Sequence, residues 1–301
     1  MESMAQQWRN LDKIRQTPDS AKHWDNRSLT YGKEDSNKEA SDAYVARFIE
    51  KMRLEKPSII LDMGCGTGLL AIPLAKQGHG VIAADFSDGM LGRLREDTEK
   101  AGVSVVVPCK DERTGMLQIP EAQEGFIIPL QMSWDDDWTS FGLHDNMVDI
   151  ALASRSIITH DLEDSLRKLS NIARSRVCIT ANLGVSPRVN PKIAEVMGVT
   201  LEKHNDAVFV FGVAHELGFE PEVSYIHSPR VRVYASRDEA YHSLLKTLDY
   251  LDSDAEQVDP DTAKQRLRDW LLVHLVPGEV EGTLCLDEVQ IVPWAFISWD
   301  V

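Results

Sequence analysis

The sequence predicts a doubly wound α/β fold, a parallel sheet with helices on both faces. Short apolar runs of the buried-strand kind, SIIL at residues 58–61 and VIAAD at 81–85, alternate with helix-length segments. A glycine-rich turn, GCGTG at residues 64–68, joins the first run to the first of those helices. Ser87 before the next helix and Gly102 after it supply a start and a stop where the alternation needs them.

Taken in order, residues 1–55 read as helical and peripheral, with Ser41 as the cap of a helix over 42–52. After the first strand and the glycine turn, a helix runs over about 69–77. Pro73 is tolerated near its first turn, where backbone N–H groups lack helical partners. The second strand and the Ser87-capped helix complete a β-α-β-α unit. Residues 103–107 have strand character, but about 105–124 reads as an insertion. Further strands are expected at 126–132, 147–153 and 176–181, and Asp161 caps a helix with Leu162, Leu166, Leu169 and Ala173 on one face. A helix is expected over 205–217 and a sixth strand over 223–234. Two well-capped helices follow, one opened by the capping box SRDE at 236–239, the other by Asp259 with Pro260 at its first position. The chain ends in VQIVPWAFISWDV, an apolar strand whose Pro293 disfavours a central position. The helical pair is thus an insertion, 236–284, between the last two strands.

Composition bounds the function. With 301 residues, 43% hydrophobic and 27% charged, the chain is long enough to bury a sizeable core. Its formal charge of -16 repels nucleic-acid phosphate, so DNA is not an expected partner. Cys65, Cys109, Cys178 and Cys285 lie far apart with no CxxC spacing, which suits a reducing compartment and predicts no zinc site. The polar start MESMAQQWRN lacks the apolar core of a signal peptide, and no apolar run has the length of a membrane span; a cytoplasmic protein is expected. No metal is expected, for want of histidines at ligand spacing.

The chemistry starts at Asp62, LDMGCGTGLL being the stretch that holds it. Gly64, Gly66 and Gly68 follow G-x-G-x-G, and the dinucleotide fingerprint would need glycine where Leu69 stands. Pyrophosphate at a helix N-terminus wants donors, and a carboxylate beside it repels. A ligand carrying an ammonium or sulfonium is attracted instead, and S-adenosylmethionine carries both without a phosphate. Asp85, ending the second strand, can accept the hydroxyls of an adenosine ribose or serve as a helix-cap acid. Cys65 reads as a small packing residue.

With these residues the chain resembles the class I S-adenosylmethionine-dependent methyltransferases. The matching pieces are LDMGCGTGLLAIPLA (61–75), AADFSDGMLGRLRE (83–96), VDIALASRS (148–156) and the terminal WAFISW (294–299). The resemblance implies a Rossmann-like sheet of seven strands with the last one antiparallel, and S-adenosylmethionine over the strand ends. It implies that Asp62, Gly64, Cys65, Gly66 and Gly68 line the methionine part, that Asp85 holds the ribose, and that Phe86 lies against the adenine. An adenine contact is implied after the third strand, at SWDDDW: Ser133 and Trp134, or Asp135, with a solvated loop as the competing reading. Ser154 and Arg155 fall at the methionine end, Arg155 equally readable as a structural ion-pair partner. His160 reads as a general base or a structural residue. WDNRSLTY (24–31) resembles a segment closing over the cofactor, with Trp24, Arg27 and Tyr31 as contacts. Pro108-Cys109 precedes the fourth strand, so it does not match the nucleophile of cytosine-C5 enzymes. The implied reaction is methyl transfer to a small molecule, with protein or RNA methylation, or a non-catalytic S-adenosylmethionine-binding module, as alternatives. The helical pair is a candidate substrate cap or homodimer surface.

Overall fold

The structure is a computed structural model and describes residues 2–12, 20–29, 38–120, 124–157 and 159–301. The apolar runs become strands β1 (Ile59–Met63), β2 (Gly80–Asp85), β3 (Ser104–Val105), β4 (Phe126–Gln131), β5 (Val148–Ser154), β6 (Ala173–Asn182), β7 (Glu222–Arg230) and β8 (Gln290–Asp300). They form one sheet in the order β3-β4-β2-β1-β5-β6-β8-β7. The pairings from β3 to β6 are all parallel, and β8 runs antiparallel to both β6 and β7. The expected seven strands are therefore eight. The extra one is β3, a two-residue edge strand formed where the chain extends after Gly102 and pairs with Phe126 and Ile127. Pro293 does lie on an interior strand. It sits one residue beyond Trp294, where pairing with β6 ends at Asn182, and faces His227 of β7 only.

The helices are α1 (Met4–Asp12), α2 (Ala21–Ser28), α3 (Lys38–Met52), α4 (Ala71–Lys76), α5 (Asp88–Lys100), α6 (Leu162–Ile172), α7 (Pro191–Met197), α8 (Asp206–Glu216), α9 (Arg237–Leu245) and α10 (Pro260–His274). Ser41 lies inside α3 and does not cap it, so the helix starts earlier than its apolar spacing indicates. Alternation along the strands splits the core in two. Leu61, Met63, Ile82 and Ala84 pack with Trp8, Leu166 and Val210, on the side of α1, α6 and α8. Ile60, Val81, Ala83 and Leu152 pack with Phe48, Leu74 and Leu94, on the side of α3, α4 and α5.

A third apolar cluster lies apart from the sheet. It joins Ile193 and Met197 of α7 to Leu244 of α9 and to Leu267 and Leu271 of α10. The insertion is thus more than the helical pair: residues 184–204, from before α8, share its core. It also holds a small antiparallel sheet of residues 233–234, 284–286 and 275–277.

Candidate cofactor site

The sheet order reverses at β1, which has β2 on one side and β5 on the other. In open α/β sheets such a switch point leaves a crevice beyond the carboxyl ends of the strands. Period-2 alternation decides what faces it. Asp62 shares its side of the sheet with Ile60, and Asp85 with Val81 and Ala83, so both acids end up under the α3-α4-α5 layer at the strand tips.

Both carboxylates are deeply buried, Asp62 at 1% exposure and Asp85 at 6%. Burial, then the charge of Asp85, pushes the Asp62 carboxyl up to about 7, against a backbone bond from Ala71. Its Oδ1 has no hydrogen-bond partner. Asp85 is also raised, by burial first, although the amides of Ser87 and Gly66 each donate to it at 2.9 Å. Neither acid makes an ion pair among the described residues. Two buried carboxyls without a cation are costly, and a cationic ligand would remove that cost.

The glycine loop roofs this pair. Gly64 has φ +75°, and a Cβ there would lie 2.3 Å from that of Ser156, whose hydroxyl donates to the Met63 carbonyl at 2.6 Å. Gly66, at φ +55°, borders open space, so the loop leaves room for a ligand at that position. The Cys65 thiol is buried and pushed well up, by desolvation and then by Asp62 and Asp85, which fits a packing residue and not a nucleophile.

At the tips of β5 and β6 the polar groups are hydroxyls and one cation. Tyr44 of α3 bonds through its hydroxyl to Ser154 (2.8 Å) and Thr180 (2.9 Å). The Arg155 guanidinium lies 3.7 Å from the Tyr44 ring centre and 5.0 Å from that of Trp294. Its backbone takes φ +60°, rare for a non-glycine residue, and its Nε is buried without a hydrogen-bond partner. Arg155 is therefore held by aromatic faces and makes no ion pair among the described residues.

Two further segments close the rim. Asp25 of α2 accepts from the Ser87 hydroxyl (2.6 Å) and the Gly89 amide (3.1 Å), pinning α2 to the start of α5. Those bonds, Ser87 first, hold the Asp25 carboxyl below its usual range. Trp24 then reaches Arg188, whose guanidinium is 5.9 Å from its ring, so α2 spans from the sheet domain to the insertion. After β4, the Trp134 indole donates to the Ser156 carbonyl (3.1 Å).

Residues 60–137 match the family described as "Methyltransferase domain". The match takes in the glycine turn, Asp62 and Asp85. A protein of Haemophilus influenzae with no functional name is 26% identical over 210 residues, 69% of this chain and 67% of that one. An S-adenosyl-L-methionine-dependent Diels-Alderase of Neonectria is 41% identical over 58 residues, 19% of this chain and 24% of that one. A ubiquinone biosynthesis O-methyltransferase of Dinoroseobacter shibae is 48% identical over 46 residues, 15% of this chain and 18% of that one. The chain thus spans about a quarter or less of the two functionally named relatives.

The structure brings Asp62, Gly64, Cys65, Gly66, Asp85, Ser154 and Arg155 to one rim, with half-buried Phe86 next to Asp85. Gly68 turns away from it: a Cβ there would meet Leu94 at 2.4 Å, so this glycine serves helix packing. Trp24 and Arg27 lie on α2, Arg27 exposed; Tyr31 lies outside the described residues. In SWDDDW, Asp135 is exposed, while Asp136 accepts from the Ser133 amide (2.7 Å) and Asp137 caps a short helical turn. His160 is exposed, just before the Asp161 cap of α6. Sequence reasoning missed Tyr44, Asp25, Ser156 and Thr180. Tyr44 had a signal, as one of two aromatic residues in a helix read as merely peripheral.

Proposed function

We propose that the protein binds S-adenosylmethionine over Gly66 and transfers its methyl group to a small-molecule acceptor. The observation that carries this is the pair of buried, cation-free carboxyls, Asp62 and Asp85. Asp62 would receive the ammonium end, and its unpartnered Oδ1 is the free acceptor such a group needs. Asp85 keeps a second lone pair on each oxygen beyond the two amide bonds, enough for ribose hydroxyls. Arg155 would meet a carboxylate at the methionine end. The ligand supplies an activated methyl on its sulfonium, so the protein's task is alignment and exclusion of water. Trp24, α2 and the insertion are suited to that enclosure, which favours a small acceptor over a macromolecule. The name of the O-methyltransferase relative supports the same class.

Calorimetric titration with S-adenosylmethionine, S-adenosylhomocysteine and NAD tests the binding. The first two are expected to bind, and NAD to be silent. Tight NAD binding with no response to the others would overturn the proposal. A second reading is cofactor use without methyl transfer. The Diels-Alderase relative favours it. Following S-adenosylhomocysteine formation over a panel of phenols, thiols, amines and carboxylic acids separates the two readings.

A further inference from the structure

The sheet face that carries the site should become apolar away from the strand tips, and under one end of α3 it does not. Cys178, Phe296 and Ile226 obey the rule on β6, β8 and β7. The next positions on that face are Arg176, Ser298, Ser224 and Glu222, so the alternation that buries a core here points polar groups inward. A cleft of about 440 Å³ opens at this place, between those residues and Arg47, Lys51 and Arg53 at the C-terminal end of α3. That volume is in the range of small-molecule sites.

The lining has four cations, Arg47, Lys51, Arg53 and Arg176, against two carboxylates, Glu50 and Glu222. This local excess of positive charge stands in a chain of net charge -16. Glu50 pairs with Arg47 and Asp300 with Arg176, and Lys51 has no carboxylate partner among the described residues. One oxygen of Glu222 serves both Arg53 (2.6 Å) and Arg176 (3.3 Å). Lys51 donates to the Ser224 hydroxyl (2.9 Å) and lies 5.9 Å from the Phe296 ring centre. Arg176 is 6% exposed and bonds Ser298 and Asp300, yet its Nε has no hydrogen-bond partner. A buried guanidinium with a spare donor, beside a lysine that has only a hydroxyl and a ring, needs a further acceptor.

We propose that this cleft is a second ligand site, separate from the cofactor rim, for a small molecule bearing an oxyanion, with Lys51, Arg47 and Arg176 as its donors. It does not depend on the methyl-transfer reading. Lys51 lies seven residues from Tyr44 along α3, about 10 Å by helix rise, so the two sites are distinct.

The test uses the full chain at constant ionic strength. Pyrophosphate, inorganic phosphate and citrate are titrated by calorimetry and by thermal shift, with sodium chloride as control. Saturable binding of pyrophosphate or inorganic phosphate, and not of citrate, would identify a phosphate ligand; the reverse would identify a carboxylate. Lys51→Gln and Arg47→Ala, both on the solvent side of the cleft, should each weaken that binding about 10-fold. Asp85→Ala, at the cofactor rim, should leave it unchanged. No saturable binding by any of the three anions would overturn the proposal. So would binding that survives the Lys51→Gln/Arg47→Ala double variant.

Discussion

Replacing Asp62 by Asn should stabilise the ligand-free protein and damage its ligand binding. Asn keeps the shape and can still accept the Ala71 amide, but it cannot carry charge. Raising a carboxyl from 3.8 to about 7 puts the cost of charging it at up to about 4 kcal/mol. The direction follows from proton counting. Between pH 3.8 and about 7 the folded protein holds a proton that the unfolded chain has released, so stability falls as pH rises through that window. Above it the full cost is present; near pH 4 it is absent. Asp62→Asn should therefore raise Tm at pH 8, at about 2–4 °C per kcal/mol recovered, and change it little at pH 4.5. In calorimetry the same variant should bind S-adenosylmethionine at least about 10-fold more weakly, because a charge-assisted bond of roughly 1.5–3 kcal/mol is lost. The wild type should release a proton on binding near neutral pH, seen as a dependence of the heat on buffer ionisation. A variant less stable than wild type at pH 8, with undiminished ligand affinity, would refute the reasoning.

Asp85→Ala should weaken S-adenosylmethionine binding by roughly 1.5–3 kcal/mol, read by calorimetry, since it would remove the proposed ribose acceptor and frees the Gly66 amide Asp85 now holds. Arg155→Asn tolerates the left-handed backbone and removes the cation; stability should stay within about 1 kcal/mol while affinity for S-adenosylmethionine falls about 10-fold, and an unchanged affinity would take Arg155 out of the cofactor site. Asp25→Ala should loosen α2 from α5, raising amide exchange in residues 21–28 and leaving the sheet protected. Because the Asp25 carboxyl is held below its usual range, the wild type should keep α2 docked above pH 3.8 and lose it as pH falls further. Gly64→Ala should cost about 1–3 kcal/mol in urea unfolding, from the contact with Ser156 and the positive φ together.

The parts of the molecule legible in sequence are those with local signals. Runs such as VIAAD have one buried-strand reading, and Ser87, Asp161, Ser236 and Asp259 each cap the helix their side chains announce. Asp62 and Asp85 were readable because an acid at the end of an apolar strand is out of place unless something needs it. What stayed hidden depends on contacts distant in sequence. Tyr44 reaches Thr180 across 136 positions, and Asp25 reaches Ser87 across 62, and no local pattern encodes such pairs. The edge strand β3 showed in sequence only as strand character over 103–107, because two paired residues are too few to show alternation. The three aspartates in SWDDDW have different fates set by turn geometry, which composition does not resolve.

Strand β8 sits between β6 and β7 although it is made after both. During synthesis β6, ending at Asn182, has no neighbour on its outer side until residues 290–300 exist. At about 5–20 residues per second that wait lasts roughly 6–24 s. The sheet is unfinished throughout, with an apolar edge bare and prone to mispairing. The insertion matures within this interval, since its core draws almost wholly on residues 185–286 and can collapse before β8 appears. Folding then ends with one strand threading between two others, a late step of long loop closure. Pulse proteolysis during refolding should find residues 185–286 protected first and β6 and β7 last.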